Sequence, residues 1–152
     1  MQLEMQTVIN APRAAVWNII TNIKNAAETI SGIEKVEILE QPAEGLVGLK
    51  WRETRTLFGK TATEVMWITA AEENSFYDTR AESHGAIYTT RISLTDQGDS
   101  TNINMQFNGK PQTIGARIMM MLMGWMFRGA TQKALVQDLD DIRKAAEDRT
   151  HG

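Results

Sequence analysis

Polar and apolar residues alternate from Gln2 to Ile9, with Leu3, Met5, Thr7 and Ile9 on one face, and this spacing predicts a first strand. Asn10-Ala11-Pro12 ends the strand and predicts a helix start, with a side-chain cap followed by proline in the first turn. Val16, Trp17, Ile19, Ile20 and Ile23 give that helix one apolar side, and a second short helix through Ala26–Ile30 stops at Ser31-Gly32. From Ile33 the period changes to two. Strands are expected over 33–39, 47–57, 61–69, 76–82, 86–94 and 101–107. Punctuation comes from Gln41–Gly45, Phe58-Gly59-Lys60, Glu72-Glu73-Asn74, Gly85 and Asp96–Asp99. Connections this short make an antiparallel meander, to which the first strand is added at an edge.

Gly109-Lys110-Pro111 closes the sheet, and a long helix is expected from about Thr113 to about Glu147, kinked near Gly124 or Gly129. Its second half is amphipathic: Leu135, Leu139, Ile142 and Ala146 form a stripe opposed by Asp138, Asp141, Arg143 and Lys144. Ile118, Met121, Leu122 and Trp125 extend that stripe backwards, so these residues are expected to face the sheet. Met119, Met120, Met123, Met126 and Phe127 are then left over on a half-helix that is apolar nearly all the way round. Methionine suits surfaces that adapt to different shapes, so this surplus reads as core and lid packing, as a cavity wall, or as a patch for dimerisation or transient membrane contact. Lys110, Arg117 and Arg128 flank it.

Composition narrows the picture by exclusion. With no cysteine there are no disulfides, thiolate metal sites or cysteine nucleophiles. His84 and His151 are the only histidines, too few for a multi-histidine metal centre, and no cofactor is called for. A net charge of −3 supplies no basic face for nucleic acid. The N-terminal residues do not resemble a secretory signal, and the apolar run near the C-terminus is about half of a bilayer crossing. A soluble, cytoplasmic protein is expected, with residues 1–148 as one domain and 149–152 as a tail.

The sheet has to curl around the long helix, because no other element is large enough to cover its inner face. Space left between them is a ligand site by default. In this order of elements, in Ile9-Asn10-Ala11-Pro12 with Val16-Trp17, in Gly48–Arg55, and in the Phe58-Gly59-Lys60 hairpin followed by Glu64, the chain resembles the START-like (SRPBCC) superfamily. The resemblance is to its polyketide cyclase/dehydrase and lipid-transport branch. It covers nearly the whole chain. It implies an α+β helix-grip fold, in which a curled seven-stranded antiparallel sheet surrounds the C-terminal helix and two short helices follow strand 1. The superfamily includes hydrophobic-ligand carriers and aromatase/cyclases, and fold alone does not choose among them.

Strand parity selects the candidate side chains. Trp51, Glu53 and Arg55 share a face opposite the wholly polar Lys50, Arg52, Thr54 and Thr56, so they are expected to point inward. Glu64, Met66 and Ile68 share a face on the next strand, although Val65 and Trp67 make the opposite face an alternative. Across the intervening turn Glu53, Arg55 and Glu64 would meet, either to orient the polar end of an apolar ligand and move a proton, or as a structural ion pair. Tyr88 joins an inward face with Ile92 and Leu94, as a ligand-facing phenol or a core tyrosine; Ile103, Met105 and Phe107 line the following strand. His84 lies at a turn beside Ser83, and adjacent turn residues do not converge as a catalytic triad must.

These residues support binding, or transport, of a small lipophilic ligand between sheet and helix. Walls are expected from Trp51, Met66, Ile68, Tyr88, Ile103, Met105, Phe107, Met121, Leu122 and Trp125, and orientation from Glu53, Arg55 or Glu64. The alternatives are a polyketide cyclase/aromatase or dehydratase, using Glu64, Glu53, Tyr88 or His84, and an interaction module that binds a partner through its methionine surface.

Overall fold

The alternating segments all become strands, and their order along the sheet follows the order of the chain except at one edge. In the computed structural model, which describes residues 1–57 and 59–151, the elements are β1 (Gln2–Ile9), α1 (Arg13–Ile20), a 3-10 turn (Ile23–Asn25), α2 (Ala26–Thr29), β2 (Ile33–Glu40), β3 (Lys50–Leu57), β4 (Lys60–Glu72), β5 (Phe76–Ser83), β6 (Ala86–Gln97), β7 (Ser100–Pro111) and α3 (Ile114–His151). The seven strands form one antiparallel sheet in the order β1-β7-β6-β5-β4-β3-β2. This is the helix-grip arrangement. The sheet reaches α3 from both sides: edge strand β1 packs against it directly, and Arg55 of β3, next to the other edge, bonds to Asp138. A sheet can touch one helix from both sides only by curling. Register shifts between Ile68 and Ala70, and twice along β2–β3, supply the bends that alternation alone does not reveal.

Several boundaries move. β6 and β7 pair without interruption from Ala86↔Pro111 to Gln97↔Ser100, so Asp96, Gln97 and Gly109–Pro111 are ladder residues rather than punctuation. The turn needs only Gly98, with φ of +62°, and Asp99. Pro111 stands at the end of its strand, where a missing N–H costs little. Pro12 itself occupies the N-cap of α1 with no side-chain cap; the Asn10 N–H instead donates to Glu147 Oε2 at 2.8 Å. At the other end, residues 149–151 continue α3 instead of forming a tail. Thr150 Oγ1 donates to the Ala146 carbonyl, and His151 Nε2 to that of Asn10. Phe58, which opens the expected β3–β4 turn, lies outside the described residues.

Parity holds where it positions the site. Leu3 and Ile9 on β1, Trp51 and Glu53 on β3, Ile68 on β4, Ile92 and Leu94 on β6, and Ile103 and Met105 on β7 are all buried. All but Leu3 and Glu53 pack with Val16, Trp17, Ile19 and Ile20 of α1 and with Leu139, Ile142 and Ala146 of α3 into one core. On β4 the Glu64 face is the inner one; Trp67 faces outward under Lys50, whose Nζ sits 5.7 Å from the ring centroid.

The first half of α3 departs from expectation. Ile118, Met121, Leu122 and Trp125, expected against the sheet, are 52, 84, 70 and 75% exposed. For Ile118 and Leu122 the reason is angular. At 100° per residue, Leu122 lies roughly 140° and Ile118 roughly 100° around the helix from Leu135. The partly covered positions are Ala116, Met120, Gly124, Ala130 and Thr131, most of which continue Leu135 backwards at spacings of four and seven. All-round apolarity therefore marks an outward-facing surface here, not burial. No helix among the described residues is long and apolar enough to cross a membrane.

Candidate functional site

Between the inner face of the sheet and the middle of α3 lies a cavity of about 370 Å³. Ile20 and Ile23 of the first helical segment and Ile30 after α2 close one end. Trp51, Met66, Met105 and Phe107 form its floor, and Phe127, Thr131, Leu135 and Ile142 of α3 its roof. Glu53, Arg55, Glu64, Tyr88 and His84 line it as well. Ile68 and Ile103, expected as wall, are 1 and 0% exposed and belong to the packed core beneath. Met121, Leu122 and Trp125 lie away from the lining. A larger depression of about 630 Å³ on the outer face of the sheet has a mainly polar rim, including Gln2, Glu4, Asp78 and Arg91, and its guanidinium is already bonded to Asp78. The inner cavity is the one in which apolar walls and unbonded polar groups converge.

Parity brings Glu53, Arg55 and Glu64 together as expected. Sequence reasoning missed the fourth member, Asp138. Arg55 Nε donates to Glu53 Oε2 at 2.7 Å, while Nη1 and Nη2 donate to the two Asp138 oxygens at 3.1 and 2.8 Å. The side chains of Glu53, Arg55 and Asp138 are 9, 22 and 5% exposed, so this is an ion-pair cluster largely out of water. Burial works against the Arg55 charge, but the bonds to Asp138 and the charges of Asp138 and Glu53 outweigh it and hold the guanidinium above its ordinary value. Burial likewise lifts the Asp138 carboxyl above the usual range, against the pull of Arg55. Asp138 was placed on the solvent side of α3, yet it lies only about 60° from Leu135 on the helical wheel, within the buried arc.

Glu64 is different. It stands opposite Glu53 in the β3–β4 ladder and shares the cavity with it. No hydrogen bond or ion pair reaches its carboxyl among the described residues. Burial and the Glu53 charge push its pKa up, with Arg55 and His84 acting only partly against them through charge. Tyr88 is also unbonded at its hydroxyl. Its ring stacks on Phe107 at 5.8 Å and lies 6.1 Å from Phe127, and burial followed by the Glu64 charge raises the phenol. Arg55 is paired with two carboxylates, whereas Glu64 and Tyr88 line the cavity with their polar ends unbonded among the described residues.

Tyr77 and His84 complete the lining. Tyr77 is 4% exposed, donates from its hydroxyl to the Ile20 carbonyl at 3.0 Å, and meets Trp17 edge to face. Burial, then the charges of Glu53 and Asp138, lift its pKa, so it acts as a neutral prop for the end of α1. His84 is exposed on the β5–β6 turn with φ of +50°, its Nδ1 2.7 Å from Ser83 Oγ, at the margin of the cavity. Gly85 beside it has φ of +76°, and a Cβ there would come within 2.6 Å of Thr113 Oγ1; this close approach lets the Gln112 N–H reach the Gly85 carbonyl just before α3.

Comparison with known proteins agrees with this architecture. The family model described as polyketide cyclase / dehydrase and lipid transport matches residues 1–147. Among solved structures, the Zhui aromatase/cyclase from a Streptomyces species superposes with a TM-score of 0.83 at 16% identity, over 100% of this chain and 96% of that one. A Thermus thermophilus protein gives 0.81 at 14% identity over 96 and 97% of the two chains. A START superfamily protein from Mycobacterium smegmatis gives 0.68 at 16% identity over 98 and 96%. At these identities the likeness is one of fold. No protein in the curated set matches the sequence.

Proposed function

Since the chain belongs to the polyketide cyclase/dehydrase and lipid transport family, we propose that it binds a small lipophilic molecule in the cavity beneath α3, with a hydrogen-bond-donating end of that molecule at Glu64. The observation that carries this reading is the unequal satisfaction of the polar groups: Arg55 gives three of its five N–H donors to Glu53 and Asp138, two carboxylates that offset its charge, while Glu64 faces the cavity without a partner among the described residues. A ligand carboxylate would meet a guanidinium already paired with two carboxylates, beside Glu64. An alcohol, phenol or amine would meet a free acceptor, and the Tyr88 hydroxyl lines the same space.

Apolar contact supplies the affinity. Burying ~250 Å² of apolar ligand surface at ~25 cal/mol per Å² is worth about 6 kcal/mol before ordering costs. A volume of about 370 Å³ sits at the small end of the range for ligand sites, which favours a compact ring system or a short chain over a phospholipid. Native mass spectrometry of the protein purified from cells tests this directly. A co-purifying lipophile, lost or exchanged on addition of a long-chain alcohol but not of the matching acid, supports the reading. A ligand-free protein that takes up neither defeats it.

One observation favours a second reading. A carboxyl whose pKa burial and a neighbouring charge push up, facing a second carboxylate and near a phenol, is a proton donor and acceptor set of the kind a cyclase or dehydratase uses. In that reading Glu64 exchanges the proton and Tyr88 steadies a ligand carbonyl. Unchanged turnover of a discovered substrate by Glu64→Gln would remove Glu64 from such a mechanism.

A further inference from the structure

The cavity makes no use of the outward side of α3's first half. Ile114, Ile118, Met121, Leu122 and Trp125 recur there at helical spacing, within an arc of about 100°, and form one continuous outward ridge. Ile114, Met121 and Trp125 are 77, 84 and 75% exposed. A monomer rarely leaves so much contiguous apolar surface in water without a use for it.

Charge identifies the occupant. Between Asp99 and Asp138 the chain holds no acidic residue, whereas Lys110, Arg117, Arg128 and Lys133 all fall there and are all exposed. The 19 acidic residues lie elsewhere in a protein whose net charge is −3, so the ridge sits in a local basic zone on an otherwise acidic body. We propose that this ridge docks on an anionic lipid surface, lying in the interface with its apolar residues among the acyl chains and its cations among the headgroups. Trp125, a ring with a polar edge, is the residue type that favours this depth. A second copy fits less well. A two-fold interface would set the four cations of one protomer near those of the other, with no acid in the segment to answer them.

The ridge and the cavity lie on different sides of α3: Phe127, which lines the pocket 6.1 Å from Tyr88, is about 160° round the helix from Trp125. The docking therefore stands on the ridge and its charge, independently of what the cavity binds.

Co-sedimentation with phosphatidylcholine vesicles, with and without phosphatidylglycerol, tests the docking. Binding is expected only with the anionic lipid, weakened by salt, and reduced about tenfold or more in Met121→Gln/Leu122→Gln. Both positions are exposed, so the double variant should keep the wild-type melting temperature and cavity ligand uptake. Brominated lipid should quench wild-type fluorescence more than that of Trp125→Phe. Absence of vesicle binding, or equal binding to neutral and anionic vesicles, overturns the proposal. A concentration-dependent dimer abolished by the same double variant, without lipid binding, overturns it in favour of a second copy.

Discussion

Glu53 and Glu64 face each other across the β3–β4 ladder, and only Glu53 is bonded to Arg55. The pair is unequal by construction: one carboxylate belongs to the ion-pair cluster, and the other is raised by burial and by its neighbour's charge. Like charges directly opposite on a sheet are destabilising, so their retention beside a cavity is a cost the fold carries at its site.

The raised pKa of Glu64 makes stability depend on pH in a definite direction. Folded, it holds its proton more tightly than it does unfolded, so its contribution is fully present below the ordinary glutamate range and is lost as pH rises through the higher folded value. Glu64→Gln should flatten the melting temperature against pH across that window and add a few tenths to about 1 kcal/mol at neutral pH. A pH profile identical to wild type would contradict the assignment.

Asp138→Ala should be far more damaging. It removes two of the bonds to Arg55 and leaves that guanidinium largely buried with Glu53 alone. Breaking a buried pair from one side costs about 3 kcal/mol or more, which urea unfolding would read as a lower midpoint at unchanged slope. A loss below about 1 kcal/mol would mean that water replaces the carboxylate freely.

Tyr77→Phe keeps the ring and deletes one bond. The Ile20 carbonyl is then left without its buried donor, at a cost of about 1–2 kcal/mol by chemical denaturation. Affinity for a lipophile should change by less than about threefold, because the apolar wall is preserved. A large affinity loss would show instead that the hydroxyl addresses the ligand.

Ala134→Leu adds volume from α3 into the cavity at a position where leucine suits a helix. Uptake of a fluorescent lipophile should fall about tenfold or more while the melting temperature holds or rises. Undiminished uptake would place the ligand elsewhere.

The sheet was legible because one face of every strand is buried: Trp51-Glu53-Arg55 and Ile103-Met105 each sit opposite polar neighbours, and period two leaves little freedom once a core is assumed. The bulge between Ile68 and Ala70 was not legible, because a register shift is settled by the partner strand rather than by local pattern. On α3 the opposite problem arose. Around Met119–Met123 nearly every position is apolar, so the pattern carries no phase, and extending the Leu135 stripe backwards put Leu122 and Trp125 on the wrong side. Asp138 escaped for a related reason: a charged residue at the margin of an apolar stripe reads as solvent-facing until its partner, 83 positions earlier in the chain, is known.

The pairing of β1 with β7, from Gln2↔Asn108 to Ile9↔Thr101, has a consequence for how the molecule is assembled. On the ribosome β1 emerges long before its only partner strand exists, and it must remain unpaired while the hairpins from β2 to β6 form locally. Closing so long a loop makes this docking a late event, and a slow one compared with hairpin formation. Until then the edges of the partial sheet are open to other chains. During synthesis, the most vulnerable strand is the one that has already been made.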